Sequence, residues 1–258
     1  MGRAKDIIVK VIPAKIANEF VKKHHYSGKV VANSNLHFGA FLDGKMHGVM
    51  SYGSPFRKDK VLHLVNGTNW NEMVELNRMA FDDYLPKNSE SRCISISIKL
   101  MKKHAPHIKW VLSFSDGTQC GDGTIYRASG FYLTNIQKNN GIIKLENGEI
   151  RASVTFTKGN AILKNNGKAA IPETAEKLSG YQLRYIYLID KTCKITVPIL
   201  PFSKIDELGA GMYKGKKVSL QERRQQAQEV LPVAHLASSQ EEGFDSTPAL
   251  KSSDDGLR

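Results

Sequence analysis

The side chains best suited to chemistry are scattered along the chain: His25 and Tyr26, Arg78, Ser91, Asp116 and Tyr126. Asp116 follows the apolar run Lys109–Ser115, so it sits just past the end of a buried strand, where α/β proteins place functional groups. A carboxylate there can act as a general base; Asp116-Gly117 as a plain turn is the alternative. Tyr126 lies about one turn before Gly130-Phe131, on a short helix closed by the glycine. Its phenol either donates a proton into a site or packs in the core. Arg78, within the segment 70–81, either binds a phosphate or carboxylate or pairs with Glu75. Asn88, Ser89 and Ser91 open a helix whose N-terminus and hydroxyls can bind an anion, with Glu90 opposing it. Ser91 either bonds a ligand or merely starts that helix. His25 and Tyr26 either serve a site or only end the first helix.

The elements that must position these groups follow from hydrophobic period and turn chemistry. Asp6–Pro13 reads as a strand and Ala14–His24 as a helix with Ile16, Ala17, Phe20 and Val21 on one face. Leu36–Leu42 and Met46–Tyr52 are strands joined by Asp43-Gly44, a hairpin signal. A strand is expected over 70–81. Residues 88–104 alternate in places, but their capping residues, basic last turn and Pro106 specify a helix, with Cys93, Ile94, Ser97, Ile98 and Met101 as its stripe. Lys109–Ser115 is a strand, Gly121–Ser129 holds a short helix, and Phe131–Ile136 is the next strand. Strands and helices alternating over 70–136 imply a sheet with helical crossovers. Asn139-Asn140-Gly141 and Asn147-Gly148 then read as turns of an inserted β-hairpin. Tyr181–Asp190 is a strong strand, Ile195–Leu200 a weaker one, and Ser219–Val230 a polar helix. The expected organisation is an α/β domain over 1–200, an extension with a helix over 201–231, and a disordered tail over 232–258, which is rich in Ser and acidic residues.

Charge points to the partner. The net charge is +12, and the tail from 231 holds two basic and five acidic residues, so residues 1–230 carry +15. Such an excess favours a polyanion through counterion release, with a merely basic soluble protein as the alternative. Cys93, Cys120 and Cys193 form no CxxC pair, which argues against a zinc ribbon or a disulfide framework. The apolar run Ile7–Ile12 is too short for a signal core or a membrane span. The expectation is a soluble protein of a reducing cytoplasm.

Tyr126-Arg-Ala-Ser-Gly-Phe131 resembles the Tyr-x-x-x-Gly-Phe signature of GNAT acyltransferases, and the order of elements is similar to theirs. Their glycine-rich pyrophosphate loop is replaced here by Pro86-Lys-Asn-Ser-Glu-Ser-Arg92. Acetyl-CoA or a related donor would fall on Asn88, Ser89, Ser91 and Arg92. A second likeness is more specific. Glu75-Leu-Asn-Arg78, Asn88-Ser-Glu-Ser-Arg92, Ser113-Phe-Ser-Asp116 and Gly123-Thr-Ile-Tyr126, in that order and with His25-Tyr26 ahead of them, resemble the Mom family of phage DNA-modification proteins. That resemblance implies a GNAT-like mixed central sheet with flanking helices. It also implies conversion of adenine in double-stranded DNA to N6-carbamoylmethyladenine, protection of phage DNA from restriction, and action in the bacterial host cytoplasm. Catalytic roles fall on Asp116, Tyr126, Arg78 and Ser91, and an iron site on His25, Tyr26 and Asp116. Tyr26, Tyr52, Phe56 and Phe114 are the pool for walls around a flipped base; Lys22, Lys23, Lys29, Arg57, Lys58 and Lys60 are the pool for the DNA backbone. The rival readings are a GNAT N-acetyltransferase acting on an amine or protein, and a non-enzymatic basic DNA-binding accessory protein. No helix-turn-helix or zinc-finger pattern supports the latter.

Overall fold

Asp43 and Gly44 both take positive φ, 52° and 76°, the paired left-handed conformation of a tight hairpin turn. This turn belongs to a computed structural model that describes residues 3–118, 121–153, 164–165, 168–169, 171–213, 216–217, 219 and 221–222. It joins two strands of an eight-stranded mixed sheet. The strands are β1 (Ile8–Val11), β2 (Ser34–Leu42), β3 (Lys45–Gly53), β4 (Met73–Phe81), β5 (Trp110–Asp116), β6 (Tyr132–Lys144), β7 (Ile150–Ala152) and β8 (Glu176–Leu188). Their spatial order is β1-β2-β3-β4-β5-β8-β6-β7. All neighbours are antiparallel except β4 and β5. The mixed α/β architecture is the one that the order of elements implied.

Helices cover both faces. Helix α1 (Ala14–His24) buries Ala17 and Val21 against Val49 of β3 and Ala80 of β4. Helix α2 (Ser89–His104) lies on the other face and buries Cys93, Ile94, Ser97, Ile98 and Met101, the helical stripe, which wins over the local alternation. Beside it stands the short α3 (Thr124–Ala128). The main core on that face joins Val74 and Leu76 of β4 to Val111 of β5 and Leu183 and Tyr185 of β8. Another short helix, α4 (Ser203–Glu207), contributes Ile205 to the same core, followed by Ala210, so packing continues past residue 200.

One expectation fails in an instructive way. Asn139-Asn140-Gly141 is no hairpin turn; β6 runs through it. Opposite it the register passes from Leu178↔Ile142 to Gly180↔Asn139, so an extra residue sits in β6, and the Asn-Asn-Gly signal marks a β-bulge. The turn comes only at Asn147-Gly148, with Gly148 at φ 80°, and leads into β7. The weak strand expected over Ile195–Leu200 reduces to a two-residue ladder, Lys194–Ile195 on Val65–Asn66. Apart from 219, 221 and 222, the expected helix over 219–230 lies outside the described residues, as does the tail from 232.

Gly123, just before α3, shows how tightly the core holds this region. Its φ is 78°, and a Cβ there would come within 2.5 Å of the Tyr185 ring. The Tyr185 hydroxyl also donates a hydrogen bond to the Asp122 carbonyl. Gly123→Ala is therefore expected to cost at least about 2 kcal/mol, a Tm lower by roughly 4–8 °C, measured by thermal unfolding.

Candidate active site

Strands β4 and β5 pair over only four rungs, Met73↔Trp110 to Leu76↔Ser113. The Ser113 hydroxyl bonds the Leu76 carbonyl at the last rung (3.3 Å). Beyond it the strands part. The cause lies in β4: between Tyr52↔Leu76 and Ser51↔Arg78 the register against β3 slips by one, leaving Asn77 as a bulge. Its side-chain oxygen accepts a hydrogen bond from the Ser34 hydroxyl (2.7 Å). Side chains alternate along a strand, so residues three apart normally face opposite ways. The extra residue lets Glu75 and Arg78 share the face that carries α1.

The gap opens into a cleft of about 830 Å³. Its walls bring together His25, Tyr26, Arg78, Asp116 and Tyr126. Glu75, Asn77, Phe114, Asp122, Asn139 and Gln182 line it as well. Of the aromatic pool, Tyr26 and Phe114 reach it. Tyr52 is instead fully buried with its hydroxyl on Ser97 (2.6 Å), and Phe56 is exposed outside the lining.

Each charged group has a distinct setting. The Arg78 guanidinium donates through Nε to the Lys29 carbonyl (2.8 Å) and through Nη1 to the Asn77 carbonyl (2.7 Å). Among the described residues it forms no ion pair with a carboxylate. Burial lowers its pKa, yet a guanidinium keeps its charge. His25 Nδ1 accepts the Ser27 backbone N–H (3.1 Å) and lies 2.8 Å from the Ser27 hydroxyl. Burial, and then the nearby Arg78 charge, push its pKa down to about 4. The ring is therefore neutral, with its proton on Nε2. Burial pushes the Glu75 carboxyl up to about 7, against the pull of Arg78. Burial also raises Asp116, while hydrogen bonds from Thr118 and Asn139 oppose the rise; Thr118 N–H donates to Oδ1 at 2.9 Å. Asp122 accepts the Thr124 N–H (3.2 Å) and hydroxyl (2.7 Å). Tyr126 is buried between Phe131 and Tyr185, with ring centroids 5.4 and 5.2 Å away, and still reaches the cleft.

The start of α2 stands apart from this lining. Asn88 takes a left-handed φ of 69° and makes no side-chain cap. The Ser89 hydroxyl bonds the Pro86 carbonyl, the Ser91 hydroxyl the Asn88 carbonyl (3.2 Å), and Arg92 the Lys5 carbonyl (3.1 Å). With its hydroxyls turned onto its own backbone and Glu90 in the first turn, this terminus does not fit a coenzyme A diphosphate. An iron centre fits no better. A neutral imidazole ligating through Nε2 needs its proton on Nδ1, where the Ser27 N–H points.

Sequence reasoning named Glu75 as a partner for Arg78 and, with Asn77, as part of the Glu75-Leu-Asn-Arg78 motif, without a chemical role, and passed over Asp122 and Gln182. Glu75 carried a signal: an acidic residue between Met73-Val74 and Leu76 in a central strand.

The family model of the Mom protein family matches residues 6–204. The methylcarbamoylase mom of Escherichia phage Mu is 36% identical over 129 residues, 50% of this chain and 53% of that protein. The chain thus spans about half the length of the curated relative it matches. A Bacillus subtilis acetyltransferase in complex with CoA aligns at 10% identity and a TM-score of 0.42, over 70% of this chain and 98% of that one. The ribosomal-protein-S18-alanine N-acetyltransferase of Escherichia coli aligns at 10% and 0.41, over 71% and 94%.

The two shifted groups bias stability in opposite directions. Glu75 binds its proton more tightly folded than unfolded, so its contribution is present below about 4.5 and is lost as pH rises through about 7. His25 binds its proton less tightly folded, so its contribution is present above about 6.5 and is lost as pH falls through about 4. Urea unfolding at pH 5 and pH 8 should show Glu75→Gln stabilised relative to wild type at pH 8, by on the order of 2 kcal/mol, and not at pH 5. His25→Asn should shed the acid-side loss instead.

Proposed function

The chain belongs to the Mom protein family, and on that premise we propose that it converts adenine in duplex DNA to N6-carbamoylmethyladenine, so shielding phage DNA from restriction. The observation that carries this reading is the cleft at the β4–β5 divergence, which unites His25, Tyr26, Arg78, Asp116 and Tyr126 from four separate segments of the chain. The name of the phage Mu relative, a methylcarbamoylase, supports it.

The amino group of a stacked adenine cannot be reached, so the base must turn out of the helix into a pocket. The cleft volume lies within the range of small-molecule sites. Phe114 and Tyr26 supply aromatic walls. Arg78, free of a carboxylate partner among the described residues, is the cation for the phosphate beside the flipped nucleotide. Asp116, held by Thr118 at the end of β5, accepts a hydrogen bond from the amino group and orients the amine. Tyr126, fixed by its aromatic neighbours, presents its hydroxyl to the transferred group. Neither an iron nor a coenzyme A step enters this scheme.

Nucleoside mass spectrometry of DNA from expressing cells tests the reading. A deoxyadenosine heavier by a carbamoylmethyl group is expected, and an unmodified adenine pool despite soluble protein would refute it. Tyr126→Phe keeps the packed ring, and Asp116→Asn keeps the Thr118 hydrogen bond. Both should melt near wild type and modify DNA at least about tenfold less, roughly 1.4 kcal/mol of barrier. Purified protein should bind duplex with log affinity falling linearly in log salt, by roughly 0.9 per phosphate contacted. Salt-independent binding would contradict an electrostatic DNA interface.

A further inference from the structure

We infer that Glu75 accepts the proton lost by the amino nitrogen as the new N–C bond forms; this rests on the reading of the protein as an adenine-modifying enzyme. The lone pair of an exocyclic adenine amine is delocalised into the ring. Alkylation at that nitrogen therefore needs the N–H bond to break as the new bond forms, and the cleft must contain a base that can take the proton.

The cleft offers three carboxyl groups and one imidazole, and their surroundings sort them. Asp116 and Asp122 are both tied into turns. Asp116 accepts the Thr118 N–H, and Asp122 accepts the N–H and hydroxyl of Thr124. Such bonds occupy acceptor positions that an incoming proton would need. His25 has Nδ1 filled by Ser27 and Nε2 already protonated, so it is a donor toward the cleft. Glu75 differs from all three: among the described residues its carboxyl makes no hydrogen bond and no ion pair. It stands on β4 at the last rungs before the strands part, opposite Leu112, and lines the cleft. The bulge at Asn77 keeps Arg78 on its face, a fixed cation that holds the ionised form in being. His25 and Tyr26, at the end of α1, and Asp116, at the end of β5, line the same cleft. Burial sets its pKa at about 7, where a base is half available and still strong enough to take a proton.

In the resulting step the N6 nitrogen attacks the methylene carbon of an alkylating carboxamidomethyl donor. The bond from that carbon to its leaving group breaks, and the electron pair departs with the leaving group. The N6 proton passes to a Glu75 carboxylate oxygen, so no oxidant or reductant is needed.

Glu75→Gln tests the assignment, because glutamine copies the protonated carboxyl in shape and cannot take a proton. Wild type and variant are expressed in cells, their DNA is analysed by nucleoside mass spectrometry, and the purified proteins are compared for melting and duplex binding. The expected result is a folded variant that binds duplex within about twofold of wild type and modifies DNA at least about 100-fold less. Modification within about threefold of wild type overturns the proposal, as does a loss of duplex binding matching the loss of modification. Should Glu75→Gln fail to fold, Glu75→Asp and Glu75→Asn make the comparison at equal length. The aspartate variant should modify DNA at least about tenfold more than the asparagine variant, and equality overturns the proposal. If wild type itself leaves adenine unmodified, the reading of the function falls, an outcome distinct from any difference among variants.

Discussion

The early end of the β4–β5 ladder is the constraint on which the site depends. A central strand normally has both edges paired, because unpaired N–H and C=O groups cost free energy when shielded from water. Here β4 keeps its outer ladder to β3, and β5 keeps its outer ladder to β8 through Gln182↔Asp116. The sheet can therefore open between them without losing its frame. The Asn77 bulge begins the opening, and two hydroxyls, Ser113 on the Leu76 carbonyl and Ser34 on the Asn77 carboxamide, fasten its apex. Through this gap residues from the α1 face, such as Glu75 and Arg78, meet Tyr126 from the α3 face.

Electrostatics then gives the cleft its sign. Of the groups lining it, the Arg78 guanidinium cannot discard its charge, whereas His25 is held neutral and Glu75 changes protonation near neutral pH. Burying Arg78 without a carboxylate is tolerable because the carbonyls of Lys29 and Asn77 take two of its donor directions. A cation satisfied by neutral carbonyls retains its field, and an anionic group entering the cleft meets that field in a partly desolvated space. An ion pair with Glu75 would have cancelled it, and that pairing, the structural alternative for Arg78 in the sequence, does not form.

Much of this was legible in the sequence, and the failures share a cause. Asp43-Gly44, the α2 stripe and the strand before Asp116 are local signals, and each element formed where local chemistry put it. Asn139-Asn140-Gly141 carried a turn signal but became a bulge, because pairing with β8 on a long strand outweighed local turn preference. The Asn77 bulge left no mark in the sequence, since a bulge is a relation between two strands. With it went the facing of Arg78, which joins Glu75 on one face only through that one-residue slip. Ser91 and its neighbours show the converse. A helix start rich in hydroxyls is a fair anion site in isolation, but here those hydroxyls close onto their own backbone away from the cleft.

The two walls of the cleft differ in how firmly they are built. The back wall is core: the Tyr126 ring packs at a tilt against Phe131 and Tyr185, Tyr185 bonds the Asp122 carbonyl, and Gly123 has no room for a side chain. Side chains there are held by packing, which fixes their placement closely. The front wall is the loop after α1, where His25 is oriented by Ser27 and Lys29 offers its carbonyl to Arg78. That hydrogen bond makes the loop and the cation one unit. A ligand that draws the guanidinium toward itself must either carry the loop along or break the bond, and the loop also holds His25 and Tyr26 over the cleft. Engagement of Arg78 and placement of those two aromatic rings are thus linked through the Lys29 carbonyl.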